Sequence, residues 1–275
     1  MKILTLNTHS WLEDQQADKI EVLVNKIVEE GYDLLALQEV NQALDDPSVE
    51  DESYIEADMA SPKIPLKTSN FAHILVSRLI DRGHHYFYSW VPSHIGYGKY
   101  DEGLAILAKN KFKASSYLLS EADDYRQFTR RVGLKALVTV GGEDYHFFNV
   151  HLSWWEREGV PYFKEEWDRL SNHLVKEGKL IVVGDFNNSA DVSNEGYDYI
   201  FDQRPDLLDS YYSADQVLGQ ATVQGAIDGW EGKEEAKRID LVLTDRSTIP
   251  KTHRLVFDGQ NESVVSDHYG VEVII

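Results

Sequence analysis

One local design occurs twice in this chain, far apart, and it narrows the possible folds more than any other feature. In the first copy the apolar periodicity predicts a helix from about Ala17 to Glu30, with Ile20, Leu23, Val24, Ile27 and Val28 on one face and Gly31 ending it. The run Asp33-Leu-Leu-Ala-Leu-Gln-Glu-Val40 follows. In the second copy a helical stretch from roughly Tyr162 to Glu177 passes through Gly178 into Lys179-Leu-Ile-Val-Val-Gly-Asp-Phe-Asn187. A short run that is apolar at successive positions, rather than alternate ones, suits a strand covered on both faces. Each run closes on a carboxylate, which is costly at the end of a buried strand unless it is paired or holds a metal. The repetition points to two similar halves, not to a short tandem repeat.

Residues 2–7 alternate as a strand does, and further strand-like segments lie at roughly 85–91, 103–108, 112–119, 132–140 and 145–151, with Gly141-Gly142 as a turn signal. Strands are again expected at Arg238–Leu243, at 252–257 and at His268–Ile275. At 275 residues and 42% apolar side chains the chain can bury a large core, and no low-complexity linker divides it. The expectation is one α/β (α+β) domain over residues 1–275. Its architecture should be a four-layered α/β/β/α sandwich of two mixed, mostly antiparallel sheets packed face to face with helices outside. The stretch 41–70 is polar and acidic and holds Pro47, Pro62 and Pro65, so it reads as a surface insertion able to cover a site.

Twenty-seven Lys and Arg against 47 Asp and Glu give a formal net charge of −20, which makes long nucleic acid a disfavoured partner. The absence of cysteine leaves only oxygen and imidazole donors for a metal, and these favour a hard cation. The opening Met-Lys-Ile-Leu-Thr-Leu-Asn runs straight into a strand pattern, and no later run reaches membrane-spanning length. These features lead to an expectation of a soluble, cytoplasmic protein with no membrane contact and no evident obligate protein partner.

Polar residues recur where the apolar strands end: Asn7, Glu39, His151, Asp185 with Asn187, Asp240, and Asp267 with His268. The segments Leu6-Asn7-Thr8-His9, Leu37-Gln38-Glu39-Val40, Asn149-Val150-His151-Leu152, Val183-Gly184-Asp185-Phe186-Asn187, Arg238-Ile239-Asp240 and Ser266-Asp267-His268 stand in an order spanning almost the whole chain. That ordered set resembles the motifs of the endonuclease/exonuclease/phosphatase (DNase I-like) superfamily. The resemblance implies hydrolysis of a phosphate ester with Mg²⁺ as cofactor and Mn²⁺ as a substitute. It implies Glu39 as the main metal ligand, with Asn7 and Asp267 beside it. It further implies Asp185 and Asn187 on the attacking water, and His268 on the phosphate with its tautomer fixed by Asp240. His151 resembles a second catalytic histidine, and Glu102, in Tyr100-Asp101-Glu102-Gly103, is nominated as its carboxylate partner. Arg130 and Arg131 lie where relatives often place a phosphate-binding arginine.

The fold does not select the ester. Trp11, Trp154 and Trp155 follow the motifs closely, and Tyr97, Tyr100 and Trp230 are further candidates for an aromatic wall around the substrate. Acidity, the start of the chain and the aromatic residues together favour a phosphomonoesterase acting on a small phosphorylated sugar. The alternatives are a metal-dependent nuclease and a sphingomyelinase-like phosphodiesterase. The segments around Asn7 and His151 are most similar to a subgroup that includes maltose 6'-phosphate phosphatase, which implies maltose 6'-phosphate as substrate.

Overall fold

The computed structural model describes residues 1–58, 62–225, 227, 230, 235–260 and 262–275. Its first part runs β1 (Lys2–Asn7), α1 (Gln16–Glu30), β2 (Leu34–Gln38), β3 (Gln42–Ala43), α2 (Phe71–Asp81), β4 (Phe87–Gly96) and β5 (Tyr100–Ala108). Next come β6 (Lys113–Leu118), β7 (Val132–Val140), β8 (Glu143–His151), α3 (Tyr162–His173) and β9 (Lys179–Asp185). The last part holds α4 (Gly196–Gln203), β10 (Leu207–Asp209), α5 (Ser210–Ser213), β11 (Gln216–Leu218), β12 (Asp240–Asp245), β13 (Thr252–Val256) and β14 (Gly270–Ile274).

An eight-stranded sheet has the order β11-β13-β14-β1-β2-β5-β3, with β4 also on β5, and a six-stranded sheet has the order β10-β12-β9-β8-β7-β6. The duplicated sequence design becomes a duplicated topology. In the first sheet β1 and β2 are parallel and connected through α1, and in the second β8 and β9 are parallel and connected through α3. Each parallel pair is flanked by antiparallel neighbours, β14 and β5 in one case and β7 and β12 in the other.

The four layers follow from residue alternation along the strands. From β1 and β2, Leu4, Leu6, Leu35 and Leu37 pack on α1 and α2, while Ile3, Leu34 and Ala36 face the other sheet. From β9, Ile181 and Val183 face the first sheet, while Leu180 and Val182 pack on α3 through Phe163, Trp167 and Leu170. Burial on both faces is why β2 and β9 carry no polar alternation. Truncating one such leucine to alanine would cost about 2–5 kcal/mol.

A polar link ties the two sheets together beneath the strand ends. Asn149 of β8 donates to the carbonyls of Leu37 (2.9 Å) and Ala105 (2.8 Å) in the first sheet and accepts from Gln38 Nε2 (2.7 Å). All three contacts are buried.

Several boundaries differ from the sequence expectation. α3 stops at His173, not Glu177, because Leu174 turns extended and drops into the core shared with Leu170. β4 continues to Gly96 across an irregularity between Pro92 and His94, where the missing proline N–H breaks the ladder. α2 was not expected at all; Asn70 caps it by accepting from His73 N (3.2 Å).

Candidate active site

The two β-α-β units bring their carboxylates to one cavity of about 220 Å³. In the first unit the backbone turns at Glu39, with φ 49°, one residue beyond β2. Thr8 Oγ1 (3.0 Å) and Ser10 Oγ (2.7 Å) both donate to the Glu39 carbonyl, so the loop after β1 holds that turn. In the second unit the strand bends at Gly184, φ 136°, where a Cβ would lie 1.9 Å from the Val150 carbonyl oxygen. Only glycine fits there, and the bend carries Asp185 into the cavity. Asn7 bridges the two ends, since its Nδ2 donates to Glu39 Oε1 (2.9 Å) and to Asp185 Oδ2 (3.2 Å).

Burial raises both carboxylates, but the leading charges on them differ: Glu102 and Asp267 act on Glu39, with His9 opposing them, and His268 acts on Asp185, with Asp240 opposing it. Burial pushes Glu39 well above the usual carboxylate range, and Glu102 and Asp267 push it further. Burial also raises Glu102, against the opposing charges of Arg131 and His9. A cluster of carboxylates that repel one another, Glu102 buried and Glu39 and Asp267 half-buried, suits a divalent hard cation, which would cancel the repulsion. Asp185 is raised by burial too, but His268 counters this. The imidazole Nδ1 of His268 is 2.9 Å from Asp240 Oδ2 and its Nε2 is 3.8 Å from Asp185. Burial alone would lower His268, yet Asp240 and Asp185 hold it well above its ordinary value, which favours its cationic form. His151 Nε2 lies 3.6 Å from Asp185, but burial together with Arg131, His94 and His268 pushes its pKa well below the ordinary value.

Among the described residues, two sets of side chains have donor atoms within 4.8 Å of one another as cation ligands would. They are His9, Glu13 and Asp267, and the buried Asp185, Asp240 and His268. The second set is already satisfied in part by the Asp240–His268 hydrogen bond.

The expected site residues separate into those that reach the cavity and those that do not. Glu39, Glu102, Arg131, His151, Trp154, Asp185, Asn187, Asp267 and His268 line it, and Asp240 stands behind His268. Asn7 was expected as an oxygen ligand, but it presents its amide nitrogen to Glu39 while its Oδ1 accepts from His9 N (3.2 Å). Glu102 was nominated as the partner of His151; instead it lies 3.5 Å from His94 Nε2, and the carboxylate beside His151 is Asp185. Asn187 spends its amide on the Leu152 carbonyl (3.0 Å) and on Trp230 Nε1 (3.0 Å), and its backbone N–H holds Asp185 Oδ1 (2.8 Å). It therefore fixes Asp185 from the side.

The structure places four expected substrate contacts outside the cavity lining. Arg130 turns away and donates to the Pro92 and Ser93 carbonyls at the irregularity of β4. Trp155 packs on Phe163 and Tyr199 behind the second sheet. Trp11 meets Phe71 edge-on and donates to the carbonyls of Asn41 and Ser69. Tyr100 does not line the cavity, and its hydroxyl donates to the Trp11 carbonyl (3.3 Å). No described residue of 41–70 lines the cavity either; Tyr54 bridges to Tyr88 of β4 and Asp58 to Ser115 of β6. The structure adds His94, Phe128 and Arg157 to the lining. Pro92 inside an apolar run was the available signal for His94, whereas Phe128 and Arg157 stand in loops where periodicity says nothing.

Two sheets of this topology, with acidic and imidazole groups gathered at their strand ends, give one polar cavity whose chemistry the comparisons with known proteins narrow. The Endonuclease/Exonuclease/phosphatase family model matches residues 4–268, and the chain belongs to that family. The family's members are metal-dependent hydrolases, phosphatases or nucleases. An endonuclease/exonuclease/phosphatase family protein from Leptotrichia buccalis is 30% identical, with a TM-score of 0.86, and the match covers 100% of this chain and 99% of that one. The mannosyl-6-phosphatase of Bacteroides thetaiotaomicron shares the fold at 18% identity and a TM-score of 0.67, over 100% and 98% of the two chains. A humanized D. rerio TDP2 shares it at 16% identity and a TM-score of 0.61, over 99% and 97%. No curated protein matches this chain. No described helix is long and apolar enough to cross a membrane.

Proposed function

We propose that the protein is a cytoplasmic, Mg²⁺-dependent phosphomonoesterase that releases phosphate from a small sugar phosphate, with maltose 6'-phosphate as the specific candidate. The observation that carries this reading is the gradient across one cavity. Glu39, Glu102 and Asp267 form an anionic end, and Asp185, His151 and His268 form a proton-handling end a few ångströms away. Glu39 and Asp267 would hold the metal, which supplies positive charge to the phosphate oxygens.

Asp185 accepts a proton from the attacking water as its oxygen bonds to phosphorus. The ester P–O bond opposite breaks, and His268, cationic through Asp240, donates a proton to the departing alkoxide. Arg131, buried and steadied by its Nε donating to Ser153 Oγ (3.2 Å), is placed to meet a phosphate oxygen.

A small ester is favoured over a nucleic acid by the charge of −20 and by a rim of Tyr97, Phe128 and Trp154 in place of a basic track. The fold shared with a mannosyl-6-phosphatase is compatible with this choice. The test is phosphate release, with Mg²⁺ or Mn²⁺, from sugar phosphates, nucleotides and DNA. Phosphate from maltose 6'-phosphate, lost on chelation and restored by Mg²⁺, is the expected result. Cleavage of plasmid or abasic-site DNA with no turnover of any sugar phosphate would replace the reading with a nuclease.

A further inference from the structure

The cavity lining also holds exposed aromatic side chains. Phe128 and Tyr97 are large aromatic side chains with 54% and 53% of their surface exposed, and both line this cavity. Between Phe128 and Trp154 sits Arg157, its guanidinium carbon 5.5 Å from one ring centroid and 4.5 Å from the other. Arg157 lies in a short loop closed by paired hydrogen bonds with Val160, each 3.0 Å. Its guanidinium has no carboxylate partner among the described residues, although the chain carries 47 acidic side chains. A cation held by two rings, with no counter-ion among the described residues, has N–H donors available to a ligand. The indole N–H of Trp154 is likewise buried without a hydrogen-bond partner among the described residues.

We propose that Phe128, Arg157 and Trp154 form a leaving-group subsite that takes the ring of a sugar. This deepens the sugar-phosphate reading and rests on it. The chemistry is specific to a ring rich in hydroxyls. An exposed aromatic face packs on the C–H face of a pyranose, which carries apolar area without charge. A guanidinium fixed in plane between two rings offers several N–H donors to neighbouring hydroxyl oxygens at small entropic cost. The phosphate is bound elsewhere, at the Arg131 and carboxylate end, so Arg157 contributes to recognition and not to bond breaking. Tyr97 stands on the same rim, where a second ring of a disaccharide would emerge.

The experiment compares wild type, Arg157→Ala, Arg157→Lys and Phe128→Ala on maltose 6'-phosphate, on glycerol phosphate as a ringless ester, and on a nucleoside monophosphate. For Arg157→Ala the KM for the disaccharide phosphate should rise about tenfold, with kcat changed less than about threefold, as loss of hydrogen bonds from a charged donor predicts. The kcat/KM on glycerol phosphate should stay within about twofold of wild type, which excludes damage to the catalytic end. Lysine should restore part of the charge but not the stacked, planar donor set, so Arg157→Lys should remain impaired on the disaccharide. Equal losses on glycerol phosphate and the disaccharide would overturn the subsite. So would a loss confined to the nucleoside monophosphate, which would assign the rings to a base. A wild-type protein that turns over no sugar phosphate at all would overturn the parent reading instead, so the two failures are distinguishable.

Discussion

The ends of β2 and β9 are built alike and used differently. Each is an apolar strand in a parallel β-α-β unit, each turns at a residue with positive φ, and each delivers a carboxylate to the same cavity. The neighbouring strand then decides what the carboxylate becomes. β5 pairs with β2 and brings Glu102 toward Glu39, so like charges accumulate and the site suits a cation. β12 pairs with β9 in the register Asp240 opposite Asp185, and Asp240 holds a cationic His268 there, so opposite charges meet and the site suits proton transfer. Local sequence design therefore places a carboxylate, while sheet pairing sets its electrostatic role.

Substitutions at the two ends can break that contrast. The largest effect is expected for Asp185→Asn, which keeps the volume and removes the proton acceptor: kcat should fall about 10³-fold or more with an unchanged melting profile. At the other end, Glu39→Gln should raise the Mg²⁺ concentration for half-maximal phosphate release by about 100-fold, read from a metal titration of activity. Asp240→Asn leaves His268 without its charge partner and should lower kcat by about 10- to 100-fold, with KM nearly unchanged.

The contrast can also be sharpened by changes outside the chemistry. Asn149→Ala strands the carbonyls of Leu37 and Ala105 between the sheets and leaves Gln38 Nε2 only its Thr5 acceptor, and should destabilise the fold by about 3 kcal/mol in a denaturant titration. Trp155→Ala should cost about 2 kcal/mol of stability with no change in KM, because the ring packs on Phe163 and Tyr199 behind the sheet. A raised KM in Trp155→Ala would return that ring to the substrate.

Residues whose position follows from strand periodicity were legible in the sequence. Glu39 and Asp185 close continuous apolar runs, His151 closes an alternating one, and the parallel pairing of each unit follows from the helix between its strands. Directions of side chains were not legible. Trp154 and Trp155 are adjacent, and only the turn before α3 sends one to the cavity and the other to the core. Glu102 sits at its expected place in β5, yet the irregularity at Pro92 puts His94, not His151, beside it. Phe128 and Arg157 meet across a distance in sequence that no local pattern encodes.

The division of labour between the two strand ends is tested most directly by Mn²⁺ binding, followed through water-proton relaxation, in Asp185→Asn and Glu39→Gln. Asp185→Asn should bind Mn²⁺ with wild-type affinity while releasing no phosphate, and Glu39→Gln should lose the bound ion. Loss of Mn²⁺ from Asp185→Asn with retention in Glu39→Gln would contradict the account and move the metal to the β9 end.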